Sequence, residues 1–345
     1  MYEKNETFPQ QNKPRIAVFS SKKWVIDSFN EINKGYQYEL NFFEFRMYEK
    51  TVPLAKGYDA ICIFVNDIVN EHVLEGLKED GVKLVALRCA GFNNVDINKA
   101  AEIGMGVVRV PAYSPYAVAE HTLGLILTLS RKFHKAHARV NDGNFSLDGL
   151  LGFDLHKKTI GVIGTGRIGQ VFMELMKGFS CEILAYDKFP NKEVEASGVK
   201  YVGLQELYAK SDVISLHCPL NYETYHIIND YAIESMKDNV MIINTSRGKL
   251  IDTAAVINGL KAGKVGYLGL DVYEEEEDLF FEDLSETVIQ DDQFVRLQTF
   301  PNVLITAHQA FFTKEAINNI AQTTFENIND YFDKGKSENE ITAGS

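Results

Sequence analysis

The sequence predicts an α/β protein of two domains, each a doubly wound parallel sheet with helices on both faces. Three observations predict it. Short apolar runs alternate with helical stretches in two separate series. A proline and a long helical segment divide those series. A glycine-rich turn opens a helix directly after the first strand of the second series. A chain of 345 residues is long enough for two such domains and for an ample core.

In the first series Arg15–Ser20, Tyr58–Val65, Lys83–Leu87 and Gly106–Val110 read as strands, with helices at Glu71–Glu79 and Ile97–Ile103 between them. Pro111 ends it. From Ser114 to Val140 the only glycine is Gly124 and the only proline is Pro115. Ser114 suits an N-cap and Pro115 the first helical position. Ala119, Leu123, Ile126 and Leu127 recur at helical spacing, so one long helix is expected to carry the chain between domains.

The second series has strands at Thr159–Ile163, Glu182–Tyr186, Val213–Leu216, Val240–Asn244, Leu268–Val272 and Val303–Thr306. Helices fall at Ile168–Gly178, Leu204–Ala209 and Thr253–Gly259. Lys314–Phe332 is a further helix, with Ala316, Ile320, Phe325 and Ile328 on its apolar side, and the polar tail Lys334–Ser345 is expected to be mobile. The expected division is residues 1–111 with 311–345 for one domain and 112–310 for the other. Two crossings between domains would create a cleft, the usual place for a small-molecule site.

A net charge of −13 argues against nucleic acid, which demands a basic footprint, though not against a small anion met by one local arginine. Met1–Pro14 lacks the apolar core of a secretory signal, and the longest apolar stretch, Leu123–Leu129, is too short for a bilayer. Cys62, Cys89, Cys181 and Cys218 have no metal-ligand spacing and read as thiols in a reducing compartment. A cytoplasmic protein with no membrane or metal is expected.

Gly164-Thr165-Gly166-Arg167-Ile168-Gly169 follows the strand Thr159–Ile163 and opens a helix, the context that makes this pattern specific for a dinucleotide-binding Rossmann unit. Gly164 permits the tight turn, Gly166 the approach of a pyrophosphate, and Gly169 the packing of helix on strand. The helix start, with Arg167 and Ile168, offers N–H groups to phosphates. Asp187 ends the next strand, 18 residues beyond Gly169, where a carboxylate binds ribose hydroxyls and repels a 2′-phosphate. NAD is therefore the expected cofactor; Lys188 is a counter-signal, because a lysine there could tolerate the phosphate.

Hydride exchange between a nicotinamide and a hydroxy acid needs a proton donor and acceptor at the substrate oxygen and an anchor for the carboxylate. Histidine suits the first and arginine the second. Arg247 follows an apolar strand in Asn244-Thr245-Ser246-Arg247-Gly248; Asp271 and Glu276 follow another; His308 follows the last, in Thr306-Ala307-His308-Gln309. Ligands of open α/β sheets bind at such carboxyl ends. Taken singly, Arg247 or Glu276 would be read as a surface ion-pair member, and Glu274 and Glu275 are read as a solvated acidic face. The other seven histidines, among them His121, His134, His137, His217 and His226, are read mostly as structural or surface residues.

From about Arg15 to Lys334 the chain resembles the D-2-hydroxyacid dehydrogenase family, and within it the fermentative bacterial enzymes of D-lactate. The resemblance is carried by the stretches RCAGFNNVD, VPAYSP, NFSLDGL and DLFFEDLSETVIQDD, by the Arg247, Glu276 and His308 motifs, and by the 29- and 32-residue spacings between those three. It implies a flavodoxin-like substrate domain beside the NAD-binding one. Arg247 would hold the substrate carboxylate and carbonyl, His308 would be the acid/base, and Glu276 would favour its imidazolium form. The cofactor would meet Cys218, Pro219, Thr245, Ser246 and Asp271, the last beside the nicotinamide carboxamide. The substrate would meet the backbone of Ala90 and Gly91, together with Tyr113 and Phe311.

The implied reaction is the reversible NADH-dependent reduction of pyruvate to D-lactate by a homodimer or tetramer. Two alternatives stand beside it: a dehydrogenase of the same family acting on a bulkier 2-oxo acid, and an NAD(H)-responsive binding module of the same fold.

Overall fold

A computed structural model describes residues 13–343, apart from the side chain of Asp278. Most of the Met1–Pro14 expectation thus lies outside the described residues. The chain divides into two compact units, residues 1–113 with 314–345 and residues 114–313. The crossings therefore place Ala112 and Tyr113 in the first unit and Phe311 in the second.

The first unit runs β1 (Arg15–Val18), α1 (Lys23–Tyr36), β2 (Glu39–Phe42), β3 (Ala60–Ile63), α2 (Glu71–Glu79), β4 (Leu84–Leu87), α3 (Ile97–Glu102) and β5 (Gly106–Arg109). All pairings are parallel, in the order β2-β1-β3-β4-β5, which is the flavodoxin-like order. Sequence periodicity marked neither α1 nor β2. β2 is an edge strand whose residues are at most half-buried, so it lacks the apolar run that identifies a central strand.

The second unit begins with α4 (Pro115–Arg131), capped by Ser114 Oγ accepting from Ala117 N at 3.1 Å, and α5 (Phe133–Asn141). The single long helix expected over this segment is thus broken at Lys132, which adopts the left-handed conformation at φ 54°. Burial explains the break. α4 buries Val118, Leu125, Ile126 and Leu129, whereas the residues of α5 are at most partly buried, so little packing holds it in line with α4.

There follow β6 (Thr159–Ile163), α6 (Arg167–Lys177), β7 (Glu182–Tyr186), α7 (Lys192–Ala196), β8 (Lys200–Tyr201), α8 (Leu204–Lys210), β9 (Val213–Leu216), α9 (Asp230–Ser235), β10 (Val240–Asn244), α10 (Thr253–Ala262), β11 (Val265–Leu270), α11 (Asp292–Gln298) and β12 (Val303–Ile305). The parallel sheet has the order β12-β11-β10-β9-β6-β7-β8, a Rossmann sheet with one added edge strand. Both its faces are buried: Ile214, Ile242 and Leu268 belong to one apolar cluster, and Ile160, Val162 and Ile243 to another with Phe172 and Met176 of α6. The functional loops all leave the carboxyl ends of these strands.

The chain then returns to the first unit as α12 (Lys314–Lys334), whose Phe325 packs edge-on against Phe29 of α1 at 5.3 Å. The tail beyond it is not free. Ile341 N donates to Val107 O at 2.8 Å, Arg109 N donates to Asn339 O at 3.1 Å, and Ile341 is buried. Residues 339–341 thus meet the edge of β5 antiparallel, which corrects the expectation of mobility up to residue 343. Ser337 Oγ and Asn339 Nδ2 also donate to Asn327 Oδ1 of α12, at 2.9 and 2.8 Å, so polar contacts dock a segment that shows no strand pattern.

Candidate active site

The glycine turn between β6 and α6 has the shape expected of a phosphate cradle. Gly164 has φ +98°, and a Cβ on it would lie 2.4 Å from Cys218 N, so only glycine fits. A Cβ on Gly169 would lie 2.2 Å from Gly164 O. Gly166 differs: nothing lies within 4 Å of where its Cβ would be, and no side chain caps the first turn of α6. The uncapped turn beginning with Arg167 and Ile168 fits the pyrophosphate of a dinucleotide.

Asp187 closes one side of this turn. Its Oδ2 accepts from Thr165 N at 2.7 Å and Thr165 Oγ1 at 3.0 Å, and its Oδ1 accepts from Phe189 N at 2.9 Å. The remaining lone pairs can serve ribose hydroxyls. The loop after β9 closes the other side. Cys218 is buried, which pushes its thiol up to about 12, so only its backbone is suited to a polar contact. Pro219 is exposed.

Ser246 Oγ donates to Cys218 O at 2.7 Å, tying the loop after β10 to the loop after β9, and Thr245 Oγ1 lies 2.8 Å from Thr122 Oγ1 of α4. Arg247 donates from one terminal nitrogen to Ser246 O at 2.7 Å, and Asn244 Nδ2 donates to Arg247 O at 2.8 Å. Its neighbour Gly248 packs so tightly on the loop after β11 that a Cβ would stand 1.9 Å from Tyr273 O. The arginine loop and the Tyr273–Glu276 loop are therefore in direct backbone contact.

Glu276 divides its oxygens. Oε2 accepts from Tyr273 N at 2.8 Å, and Oε1 lies 2.9 Å from His308 Nδ1. A carboxylate only accepts, so Nδ1 carries the proton and Nε2 is left to exchange one with a substrate oxygen. The rings of Phe281 and Phe311 lie 5.6 and 6.5 Å from the His308 ring.

Asp271 is fully buried and faces the His308 turn. Its Oδ1 accepts from Thr306 Oγ1 at 2.6 Å and Gln309 N at 2.9 Å, and its Oδ2 from Ala310 N at 2.9 Å. Its backbone carbonyl accepts from His308 N at 2.7 Å. Burial pushes its carboxyl up, but bonds from His121 and Thr306 and the nearby His308 outweigh it, and the net direction is down. His308 itself sits at φ 50°, a conformation that needs such support.

In the first unit, Arg109 donates to Ala90 O at 2.8 Å and lies over the Phe92 ring at 5.0 Å, which fixes the Ala90–Gly91 loop at the carboxyl end of β4. Tyr113 O accepts from Asn319 Nδ2 of α12 at 2.7 Å.

The structure also shows what sequence reasoning missed. His121, read as structural or surface, lies 3.4 Å from Asp271 Oδ1 and 3.1 Å from Thr306 Oγ1; it is 185 residues from Thr306, and no local pattern links them. Thr306 lies in the same motif as His308 and could have been found there. Phe281 lies in the stretch DLFFEDLSETVIQDD, which carried the family resemblance but was assigned no site residue. Glu274 is not merely a solvated acid: Oε1 lies 2.6 Å from His226 Nε2, and Oε2 accepts from Thr253 N and Oγ1. Glu275 does project to solvent.

The sequence profile of the D-isomer specific 2-hydroxyacid dehydrogenase NAD-binding domain matches residues 123–310. A 2-hydroxyacid dehydrogenase homologue of Haemophilus influenzae is 57% identical over 91% of this chain and 95% of its own. The D-lactate dehydrogenase of Escherichia coli is 53% identical over 94% of this chain and 98% of its own. The structure of the Aquifex aeolicus D-lactate dehydrogenase complexed with NAD and lactic acid superposes with a TM-score of 0.84 at 34% identity, covering 96% of this chain and all of that one. With the two parallel sheets, the glycine cradle and the strand-end arginine, glutamate and histidine, these likenesses establish that the chain belongs to the D-isomer specific 2-hydroxyacid dehydrogenase family.

Proposed function

We propose that the chain is an NAD-dependent D-lactate dehydrogenase that interconverts pyruvate and D-lactate. The observation that carries this reading is the His308–Glu276 pair, held by Asp271 and joined through Gly248 to the loop of Arg247. NAD(H) at the glycine turn would supply or take the hydride. Gly164, Gly166, Arg167, Ile168 and Gly169 would hold its pyrophosphate, Asp187 its ribose, and the backbone of Cys218, Pro219, Thr245 and Ser246 the remainder. Asp271 is expected by the nicotinamide carboxamide while it also steadies the His308 turn.

Arg247 binds the substrate carboxylate with its planar fork and draws charge onto the carbonyl oxygen. His308 gives its Nε2 proton to that oxygen in reduction and recovers it in oxidation. Glu276, bonded at Nδ1, fixes the ring and the tautomer that leaves Nε2 toward the substrate oxygen. The N–H groups of Ala90 and Gly91, in the loop fixed by Arg109, and the Tyr113 side chain are proposed as further substrate contacts, which would make the first unit the substrate domain. Phe281 and Phe311 crowd the His308 ring, which favours a small methyl group over a bulkier side chain.

We further propose a homodimer, with association to a tetramer open to it. Phe133, Val140, Phe145, Leu147 and Leu151 are each more than half exposed on the segment after α4, an apolar patch suited to a second copy. Among the described residues no helix is long and apolar enough to cross a membrane. Four free thiols favour the cytoplasm.

The test is NADH oxidation with pyruvate, 2-oxoisocaproate and phenylpyruvate, with product chirality assayed. Rapid formation of D-lactate, strongly reduced in His308→Gln, is expected. Preference for a bulkier acid would move the substrate, and NADH binding without turnover of any of the three would sink the dehydrogenase reading.

A further inference from the structure

Lys188 follows Asp187 directly, at the place where a cation would welcome the 2′-phosphate of NADP. The structure gives it another partner. Its Nζ lies 2.6 Å from both carboxylate oxygens of Glu223, in the loop after β9. Tyr222 Oη donates to Glu223 Oε1 at 3.1 Å.

The topology makes this pair more than an incidental surface contact. β7 and β9 lie on either side of β6 in the sheet, so the loops that leave them flank the glycine turn. Asp187 touches the turn from one side through Thr165, and the Cys218 backbone presses on Gly164 from the other. Lys188 and Glu223 join those two loops. Phe189 and Tyr222 beside them are 77% and 87% exposed, so the bridge stands at a rim open to an incoming ligand. The Lys188 ammonium holds the Glu223 carboxyl below its usual range, and the Glu223 carboxylate holds the Lys188 amine above its own.

A dianionic 2′-phosphate arriving here must strip Lys188 from Glu223 and then sit beside two carboxylates. We infer that Glu223 is a specificity-determining residue that withholds Lys188 from a 2′-phosphorylated cofactor, so discrimination rests on Glu223 as well as Asp187. The inference rests on the proposed binding of NAD over the glycine turn. Because the pair is exposed, its effect is modest and falls as salt rises.

The experiment is direct titration of the intact protein with NADH and NADPH, giving the ratio of the two Kd values. Glu223→Gln is expected to shift that ratio toward NADPH about threefold to fivefold at low salt, and adding Lys188→Gln to the same chain is expected to abolish the shift. An unchanged ratio in Glu223→Gln, with NADH binding intact, overturns the inference and leaves the cofactor reading standing. A shift that persists without Lys188 also overturns it, since the glutamate would then act by repulsion alone. Failure of the unaltered protein to bind NADH overturns the cofactor reading and this inference with it.

Discussion

Glu276 Oε1 lies 2.9 Å from His308 Nδ1, while its other oxygen is held at 2.8 Å by Tyr273 N, so the carboxylate cannot turn without losing one of the two bonds. The imidazole is thereby oriented with Nε2 outward. Removing the proton carrier, in His308→Gln, is expected to lower kcat by about 1,000-fold, within the range general acid–base groups supply. Glu276→Gln keeps the shape but not the charge and is expected to cost about 100-fold in kcat. Steady-state kinetics on both variants checks this, and near-normal turnover in His308→Gln would remove it from the proton-transfer role.

Gly248→Ala tests the contact between the arginine and glutamate loops. The new methyl would stand 1.9 Å from Tyr273 O, so one loop has to move. Displacement by a fraction of an ångström to one ångström is expected to lower kcat/KM about 100-fold. Affinity for NADH, measured by titration, should change less than kcat/KM, because the glycine turn after β6 is untouched although Thr245 and Ser246 share the displaced loop. A variant with unaltered kcat/KM would show that the contact does not position Arg247.

Asp271→Ala should damage stability and rate together. It leaves the N–H groups of Gln309 and Ala310 and the Thr306 hydroxyl without their buried acceptor. A loss of about 3 kcal/mol is expected in denaturant unfolding. The strained His308 turn would relax, so kcat should fall even where the protein remains folded. Full activity in the folded fraction would separate Asp271 from the positioning of His308.

Phe281→Ala and Phe311→Ala should open the pocket. Each ring faces His308, and apolar pockets discriminate by about 1–3 kcal/mol for small changes in side-chain size. The ratio of kcat/KM for phenylpyruvate over pyruvate is expected to rise about tenfold or more. If neither variant moves that ratio, these rings do not set substrate size.

Acid sensitivity should depend on His217. Burial holds its pKa down at about 3; its ring lies 5.0 Å from that of Phe172, with Nε2 2.9 Å from Ser215 Oγ. Between that value and 6.5 the unfolded chain binds a proton that the folded chain refuses, so stability falls as pH falls. From pH 6.5 to 5 the loss is about 1 kcal/mol, below the full linkage value because solvent reaches part of the ring. Asp271, with its carboxyl held low, loses its contribution only below about pH 4 and so lies outside the comparison of pH 7 with pH 5. Urea midpoints at pH 7 and pH 5 should differ less in His217→Gln than in the unaltered protein; equal differences would contradict the assignment.

Much of this architecture was legible along the chain because its signals are local. A strand buried on both faces must be a continuous apolar run, and β6, β7, β9 and β10 fall where those runs lie. Gly164 and Gly169 were readable because no residue with a Cβ fits where they stand. Arg247, Glu276 and His308 could be named because motif and spacing marked them together, each at a strand end. The short or half-exposed elements, β2, β8 and α11, carry too few buried residues to leave such a pattern.

By itself, then, the sequence determined the two sheets and the glycine turn, because each follows from backbone conformation or from the apolar face of a single element; the candidate triad was named from motif and spacing matched to the family. Only the tertiary structure decided that the helix after Tyr113 breaks at Lys132, that residues 339–341 dock on β5, that Glu274 holds His226 and Thr253, and that Lys188 belongs to Glu223. The break at Lys132 reflects where buried packing along α4 ends, and the other three share one physical reason. Each depends on which groups the sheet order and helix packing bring together across tens or hundreds of residues, and no periodicity within one segment records that pairing.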